Sequence, residues 1–193
     1  MTVRIVERGP DSLETYAEVP IAFDVESRYL VEPIDRGLGG VRLVEEPVDP
    51  PTVKTFDEVP EGDPTNWPTL WDVSSWGFFL AMDGPRAVGA AAVVWDTADF
   101  EGLDGRSDLA VLFDLRVHPD ERGREIGSSL FDRVVDWATA RDCTRLTIET
   151  QSNNVPACRF YAHQGCELGE IVRDAYPAYP AETKLVWFYE LAG

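Results

Sequence analysis

The sequence is poor in positive charge and contains no long hydrophobic run. Of its 193 residues, 35 are acidic and 17 basic, which gives a formal net charge of −18. This charge excludes a nucleic-acid-binding protein that works by bulk charge, because the phosphate backbone would be repelled. It also disfavours docking on an anionic membrane surface. No apolar run reaches the roughly 18 residues that span a bilayer, so no transmembrane helix is predicted.

Metal-binding and secretory signals are scarce as well. The three cysteines contain no Cys-x-x-Cys pair and the two histidines lie far apart, so no metal site is predicted. No cysteine is expected to act as a nucleophile, because that role needs an activated thiolate beside a base. The segment Met1–Arg8 is too short and too charged for a signal peptide. An odd number of cysteines then indicates a reducing compartment, and we expect a cytoplasmic protein.

Lysine is nearly absent, whereas arginine is common. The chain has 15 arginines and two lysines, Lys54 and Lys184. Acidity along the whole chain with so little lysine is typical of a salt-loving microorganism, and the alternative is an acidic protein from a GC-rich genome. At molar salt the Debye length is roughly 3 Å, so the self-repulsion of the chain would be screened. We therefore expect a halophilic protein.

The length suits a single α/β domain over residues 1–193. Residues 1–75 are predicted as N-terminal strands followed by a loop. That loop, residues 45–68, holds seven acidic residues and six prolines, which favours an extended or mobile segment. The strands predicted before it are Val3–Arg8, Ile21–Val31 and Val41–Val44, with a turn at Gly37–Gly40.

From residue 76 onward the hydrophobic pattern predicts the order β-β-β-α-β-α-β-β. A mixed sheet with helices on its faces is the natural packing of such a chain. The predicted strands are Trp76–Met82, Ala87–Trp95, Leu109–Val117, Arg145–Thr150, Cys166–Val172 and Thr183–Leu191. One predicted helix carries the apolar stripe Ile126, Leu130, Val134 and Ala138 and has Arg141 near its end. The other is Val155–Gln164, with Asn154 as its N-cap.

The segment Arg122–Ser128 connects a predicted buried strand to an amphipathic helix. Backbone N–H groups at a helix N-terminus bind phosphate groups without needing a specific side chain. Gly123 and Gly127 allow the backbone to approach a ligand, and Arg122 and Arg124 add donors for phosphate oxygens. The alternative is an ordinary strand-to-helix turn with two surface arginines.

This segment resembles the acetyl-CoA-binding motif Arg/Gln-x-x-Gly-x-Gly/Ala of the general-control-type N-acetyltransferase (GNAT) superfamily. The motif maps onto Arg122–Gly127. The family's second element, Asn-x-x-Ala-x-x-Phe-Tyr-x-x-x-Gly-Phe, is met by Asn154–Tyr161 followed by Gly165 and Cys166. The two motifs follow in the family's order, and the resemblance covers about residues 76–191, the predicted CoA-binding core.

Two shorter stretches, Glu149–Gln151 and Trp187–Tyr189, resemble the streptothricin acetyltransferase branch of the superfamily. Two positions depart from the family pattern. Cys166 replaces the usual phenylalanine, and Glu125 stands where the family has the first glycine of its pair. A carboxylate near a pyrophosphate weakens binding unless it points to solvent or meets an arginine.

The resemblance implies a GNAT-like single domain with a mixed, mostly antiparallel, twisted sheet of about seven strands between helices. It also implies an acetyl-CoA cofactor and no metal. In that reading, the backbone of Leu115 and Val117 lies along the pantetheine arm and the Val117 N–H faces the oxyanion. Asn154 bonds the cofactor, and Tyr161 protonates the leaving thiolate. The implied cofactor-binding residues are Leu115, Val117, Arg122, Gly123, Arg124, Glu125, Ile126, Gly127, Ser128, Asn154 and Tyr161.

The amine that attacks a thioester must be unprotonated, so a base or a water chain has to take its proton. Glu149, near the end of its strand, is the preferred candidate, and Asp114 on the central strand is the second. Either carboxylate can instead only attract a cationic amine, or pair with Arg116 or Arg145. Both readings are open from the sequence.

Candidate substrate-binding residues lie in the loops that flank the predicted cleft. They are Trp71, Asp72, Tyr176 and Tyr179, which can recognise a cation through ring faces and charge. The alternative is that they cover the edge of the sheet.

The expected reaction is direct transfer of an acetyl group to a primary amine of a small molecule, streptothricin-like or polyamine-like. No nucleic-acid or membrane partner is expected, and a homodimer is one option. Acetylation of a protein or peptide N-terminus is an alternative. A non-catalytic acyl-CoA-binding sensor is another, favoured by Glu125 and opposed by the presence of both Asn154 and Tyr161.

Overall fold

The computed structural model describes residues 3–56 and 59–191. The chain forms two compact units, neither of which is a continuous stretch of sequence. The first takes in Met1–Ile21, Thr55–Ile148 and Phe188–Gly193, and the second Ala22–Lys54 and Glu149–Trp187. The expectation of a single domain over residues 1–193 stays a prediction.

Seven of the strands in the described residues form one mixed sheet. They are β1 (Arg4–Arg8), β4 (Gly77–Asp83), β5 (Arg86–Trp95), β6 (Leu109–Val117), β7 (Arg145–Gln151), β8 (Glu167–Val172) and β9 (Lys184–Glu190). Their order in the sheet is β1-β4-β5-β6-β7-β9-β8. The pairs β1–β4, β4–β5 and β5–β6 are antiparallel, whereas β6 and β7 run parallel. The sheet confirms the predicted fold class. The two remaining strands, β2 (Phe23–Pro33) and β3 (Val41–Lys54), pair with each other.

In the first unit the long helix α3 (Ile126–Thr139) packs against β4, β5 and β6. Its apolar residues recur every three to four positions and form one buried stripe, as the sequence predicts. Gly89 on β5 makes the close packing possible, because a Cβ there would lie 3.0 Å from Ile126 Cγ2 and 3.2 Å from the Arg116 carbonyl oxygen. The buried residues of α3 are Ile126, Leu130, Phe131, Val134, Trp137 and Ala138.

The N-terminal part of the first unit holds helices that the sequence pattern did not reveal. A 3₁₀ turn at Pro10–Ser12 leads into α1 (Leu13–Ala17). Further on, residues 60–66 form two 3₁₀ turns before α2 (Trp67–Leu70), so the predicted loop is wrong here. Trp67 explains why this segment folds, since its ring is fully buried and burying a large side chain stabilises a fold by about 1.5–3 kcal/mol. Residues 57 and 58 of the predicted loop lie outside the described residues.

In the second unit β2 and β3 form an antiparallel hairpin. The predicted loop is wrong for residues 45–54 too, because these residues continue β3. Proline has no backbone N–H to donate to a sheet. It is tolerated here because each strand of a two-stranded ribbon pairs with its partner along one edge only. The register shifts between Val25 and Ser27, and the prolines at 50 and 51 have no register partner there.

The second unit also contains α4 (Val155–His163), which confirms the helix predicted at this place and packs against β2 and β8. Its buried residues Val155, Cys158 and Tyr161 share one face. None of the helices in the described ranges combines the length and apolar character needed to cross a membrane.

Candidate functional site

Strand β6 pairs with β7 from Leu109↔Arg145 onward. The register between the two parallel strands ends at Leu112↔Ile148, although β6 continues to Val117. On its other side β6 stays paired with β5 as far as Val117↔Gly89, with a register shift opposite Ala92 and Val93. The backbone N–H and C=O groups of a strand can bind an extended ligand as they bind a neighbouring strand.

The connection from β6 to α3 is held by two residues with left-handed backbone conformation. Gly123 has φ +75°, and Glu125, the N-cap of α3, has φ 60° and ψ 11°. The glycine that the family has at this position avoids the cost of this conformation, which is roughly 1–2 kcal/mol for other residues. The Glu125 side chain makes no capping hydrogen bond. The first N–H groups of α3 therefore follow a tight turn at the end of this loop. Glycine would adopt the backbone conformation of that turn without strain.

The two arginines of this loop are engaged within the protein. Arg124 forms an ion pair with Glu121, which also lies 3.4 Å from Arg86. The Arg122 guanidinium donates to the Val117 carbonyl oxygen at 3.3 Å. An incoming phosphate would therefore compete with Glu121 for Arg124.

Asp114 lies in a buried ion pair. Its carboxylate accepts hydrogen bonds from the Tyr16 hydroxyl at 2.7 Å and from Arg116 at 2.8 and 2.7 Å. Burial disfavours the charge of Arg116, but the attraction of Asp114 and its hydrogen bonds outweigh this and raise the pKa of Arg116. Arg116 also donates to the Val19 carbonyl oxygen at 3.1 Å. This geometry favours the ion-pair reading of Asp114 over the reading as a base.

Trp71 and Asp72 differ in exposure. The half-buried Trp71 ring packs against Trp76, Phe100 and Phe113 with centroids 5.4 to 5.7 Å apart, which favours the alternative that it covers the sheet. Asp72 is exposed and accepts a 3.0 Å hydrogen bond from the Ser74 N–H. Hydrogen bonds from the Ser74 side chain and backbone lower the pKa of Asp72.

In the second unit, Asn154 and Tyr161 lie at the start and near the end of α4. The Asn154 Oδ1 accepts a 3.2 Å hydrogen bond from the Ala157 N–H, which is the predicted N-cap. Tyr161 is 6% exposed, and its ring lies edge-on to Phe160 at 5.1 Å. The capping bond engages the amide oxygen of Asn154 and leaves its amide nitrogen as the group that can donate to a ligand.

Both carboxylate oxygens of Glu149 are engaged. Oε1 accepts a 2.6 Å hydrogen bond from the Tyr176 hydroxyl, and Oε2 lies 2.8 Å from the Lys184 ammonium. Burial, together with the bond to Glu149, raises the pKa of Tyr176 above its ordinary value. The pairing of Glu149 with Arg145 that the sequence allowed is wrong, because Arg145 bonds Glu190 at 2.8 Å.

A second lysine–glutamate pair lies in the same unit. Lys54 pairs with Glu182, and its ammonium is 4.5 Å from the centre of the Tyr179 ring. The Asn153 amide donates to the other oxygen of Glu182 at 3.0 Å. The sequence analysis assigned no role to either lysine. The signal that could have drawn attention to them is their rarity in the chain.

The cysteines are unsuited to nucleophilic chemistry. Burial raises the pKa of Cys143 to about 11 and that of Cys166 to about 12, and it raises the pKa of Cys158 too. Within the described residues, no group of three or more His, Cys, Asp or Glu side chains could hold a metal ion.

The comparison with known families decides the affiliation of the chain. The profile described as "Acetyltransferase (GNAT) family" matches residues 42–166, well over half of the sequence. The chain belongs to the GNAT acetyltransferase family. This match includes the loop before α3 and the whole of α4, so both motifs named from the sequence lie inside it.

The curated relatives of the chain include streptothricin acetyltransferases. The chain is 36% identical over 86 residues to the streptothricin acetyltransferase of Escherichia coli, an alignment that covers 43% of this chain and 49% of that protein. The matched region thus spans about half the length of this curated relative.

Two solved structures show the same fold over the full chain. A nourseothricin acetyltransferase has a TM-score of 0.76 at 22% identity, with all of both chains covered. A candidate streptothricin acetyltransferase from Bacillus anthracis str. Ames, solved in complex with acetyl coenzyme A, has a TM-score of 0.74 at 19% identity, covering 100% of this chain and 99% of that one. At these identities the likeness establishes the fold.

Proposed function

We propose that the protein is an N-acetyltransferase that moves an acetyl group from acetyl-CoA directly to a primary amine of a small cationic molecule, with streptothricin as the first candidate. The observation that carries the proposal is the loop before α3, in which Gly123 and Glu125 both have positive φ and the first N–H groups of the helix follow. This loop offers a helix N-terminus to a diphosphate.

The residues of the first unit suit the cofactor. The backbone of Leu115 and Val117 would hold the pantetheine arm, and the N–H groups of residues 124–128 would receive the pyrophosphate. Gly123 adopts φ +75° without strain, and the space beside its Cα is open, since a Cβ built there would meet no atom within 4 Å. The Glu125 carboxylate is exposed, so it can point to solvent. When bound, the cofactor supplies an acetyl thioester.

The transfer needs two proton steps. The acceptor nitrogen forms a bond to the acetyl carbon while the carbon–sulfur bond breaks, giving an acetamide and the free CoA thiol. We assign the removal of the amine proton to Glu149, directly or through water, and the protonation of the thiolate to Tyr161. The Val117 N–H is assigned to the oxyanion. Asp114 is assigned to positioning of β6, because its side chain is 5% exposed and paired with Arg116, whereas the side chain of Glu149 is 40% exposed.

The second unit suits a cationic acceptor. Glu149 and Glu182 each already bind an ammonium group, and the Tyr179 ring contacts one of them. Carboxylates and ring faces are the groups that recognise primary ammonium ions in proteins. Tyr176 and Tyr179 are therefore the proposed substrate-binding residues, ahead of Trp71 and Asp72.

The test is a turnover assay with an acceptor panel. Purified protein receives acetyl-CoA with streptothricin, spermidine or a peptide with a free alanine N-terminus, and thiol release and product mass are measured. Acetylated streptothricin supports the proposal, whereas acetylation of the peptide alone reassigns the acceptor class. Saturable acetyl-CoA binding without thiol release on any amine contradicts it and favours a non-catalytic sensor. The net charge of −18 supports a halophilic protein, so the assay is run in both low and molar salt.

A further inference from the structure

The two lysines of the chain lie in the same kind of environment. Lys54 and Lys184 both belong to the second unit, both pair with a glutamate, and their side chains are 12% and 17% exposed. The other 15 basic residues are arginines. A chain that uses arginine nearly everywhere has kept an ammonium group at the carboxylate assigned to the acceptor amine.

The contact between Lys184 and Glu149 has the chemistry of the contact expected for the substrate. A primary amine approaches in its ammonium form at neutral pH, as lysine does, and both bring three N–H donors to a carboxylate oxygen. Tyr176 holds Oε1 of Glu149 and Lys184 lies at Oε2. An incoming ammonium therefore meets a carboxylate on which a matching group is already bound.

We propose that Lys184 is an internal competitor of the acceptor, which occupies Glu149 until the substrate ammonium displaces it. This inference rests on the proposed role of Glu149 in the transfer. It makes Lys184 a residue that sets specificity, since an acceptor must bring enough binding from the rest of its structure to displace a tethered ammonium. A weakly binding amine does not displace it.

Lysine suits this role better than arginine. The ammonium is a point charge on a flexible stem and can leave a carboxylate oxygen for another partner. A guanidinium would engage a carboxylate through two parallel hydrogen bonds in a fixed geometry. The replacements Lys184→Met and Lys184→Arg are therefore expected to move acceptor binding in opposite directions, which a purely structural ion pair would not do.

The experiment measures KM for a cationic amine and the Kd for n-pentylammonium, a mimic of the lysine side chain, by calorimetry. Lys184→Met is expected to lower both by about threefold to tenfold, and Lys184→Arg to raise both by a similar factor. Arg28→Met is the matched control, because it removes one positive charge and one ion pair, with Glu46, from the same unit. It should leave both values within about twofold.

Two further arms isolate the contact with Glu149. In a Glu149→Gln background, Lys184→Met is expected to change the Kd for n-pentylammonium by less than about twofold, since there is no carboxylate to release. The KM for aniline, which is uncharged at neutral pH, is also expected to be unaffected by Lys184→Met. If the methionine variant fails to fold, shown by a lost thermal transition, Lys184→Gln takes its place.

The result that overturns the inference is a KM and a Kd that rise in Lys184→Met and return to wild-type values in Lys184→Arg. That outcome identifies a structural ion pair that either cation can supply. Failure of the proposed function looks different, because the wild-type protein then releases no thiol with any amine. In that case the order of the Kd values for n-pentylammonium, Met below Lys below Arg, still decides whether Lys184 competes for Glu149.

Discussion

The Tyr176 hydroxyl donates a 2.6 Å hydrogen bond to Oε1 of Glu149. The raised pKa of Tyr176 keeps the phenol protonated over the pH range in which acetyl transfer to an amine is normally measured, so this donor does not titrate away. Lys184 lies at the other oxygen. In the proposed mechanism the Tyr176 bond keeps the Glu149 carboxylate oriented while an acceptor ammonium takes the place of Lys184 at the other oxygen.

Replacing Glu149 by glutamine tests its assignment as the base. Glu149→Gln keeps the shape of the side chain but can neither attract an ammonium nor accept its proton. We expect kcat/KM for a cationic amine to fall by about 10²–10⁴-fold, measured by thiol release. Glu190→Gln is the control, because it removes a carboxylate that pairs with Arg145 in the first unit, whereas Glu149 belongs to the second. Equal rates in both variants would remove Glu149 from the mechanism.

Replacing Tyr161 by phenylalanine tests the protonation of the thiolate. The ring of a phenylalanine retains the packing against Phe160, so the fold should persist, while the hydroxyl proton is lost. We expect kcat to fall by roughly 10²-fold or more with little change in the Kd for CoA. Tyr189→Phe serves as the control, since that tyrosine packs on Phe131 through its ring. An unchanged kcat across the pH range speaks against the role of Tyr161.

Glu125 allows a test of the left-handed turn. Glu125→Gly relieves the conformation with φ 60° and should stabilise the protein by about 1 kcal/mol, measured by denaturant unfolding. It should also lower the Kd for CoA, because it removes a negative charge from the loop that receives the pyrophosphate. Asp99→Gly is the matched control, since Asp99 has φ 59° in a different loop. The control should stabilise the fold without changing the Kd for CoA. If Glu125→Gly and Asp99→Gly changed this Kd equally, the position of Glu125 before α3 would be irrelevant to cofactor binding.

We expect the buried pair of Asp114 and Arg116 to contribute to the stability of the fold and not to proton transfer. Asp114→Asn leaves the Arg116 guanidinium without its counter-charge in the interior, which we expect to destabilise the fold by roughly 3–5 kcal/mol. Tyr16→Phe removes one hydrogen bond to the same carboxylate and should lower the free energy of unfolding by about 1.5–3 kcal/mol. A stable Asp114→Asn variant with no turnover would instead support the reading of Asp114 as a base.

Much of the sheet could be predicted because its strands carry continuous apolar runs. This pattern predicts Leu109–Val117 and the two strands that precede it in sequence, with bounds within a residue or two of those in the structure. The error at residues 45–54 came from proline, which usually argues against a strand but is tolerated in a two-stranded ribbon. The short α1 was missed because five residues are too few to show a helical period.

The site was predictable where it depends on local backbone conformation and not where it depends on distant partners. Position 125 departs from the family glycine, and the structure shows why that position matters, through its positive φ. The hydrogen-bond and ion-pair partners of Asp114 and Glu149 could not be predicted from the sequence. Tyr16 is 98 residues from Asp114 in sequence, and Lys184 reaches Glu149 from another strand, so neither pair leaves a local pattern.

Hydrogen–deuterium exchange of the backbone amides, with and without acetyl-CoA, tests the central claim most directly. The account predicts slower exchange at residues 115 and 117 on β6 and at residues 124–128 before and within α3, because these amides would bond the pantetheine arm and the pyrophosphate. Calorimetry on the same sample establishes that the cofactor is bound. Saturated binding with no added protection at either place would contradict the assignment of the cofactor site.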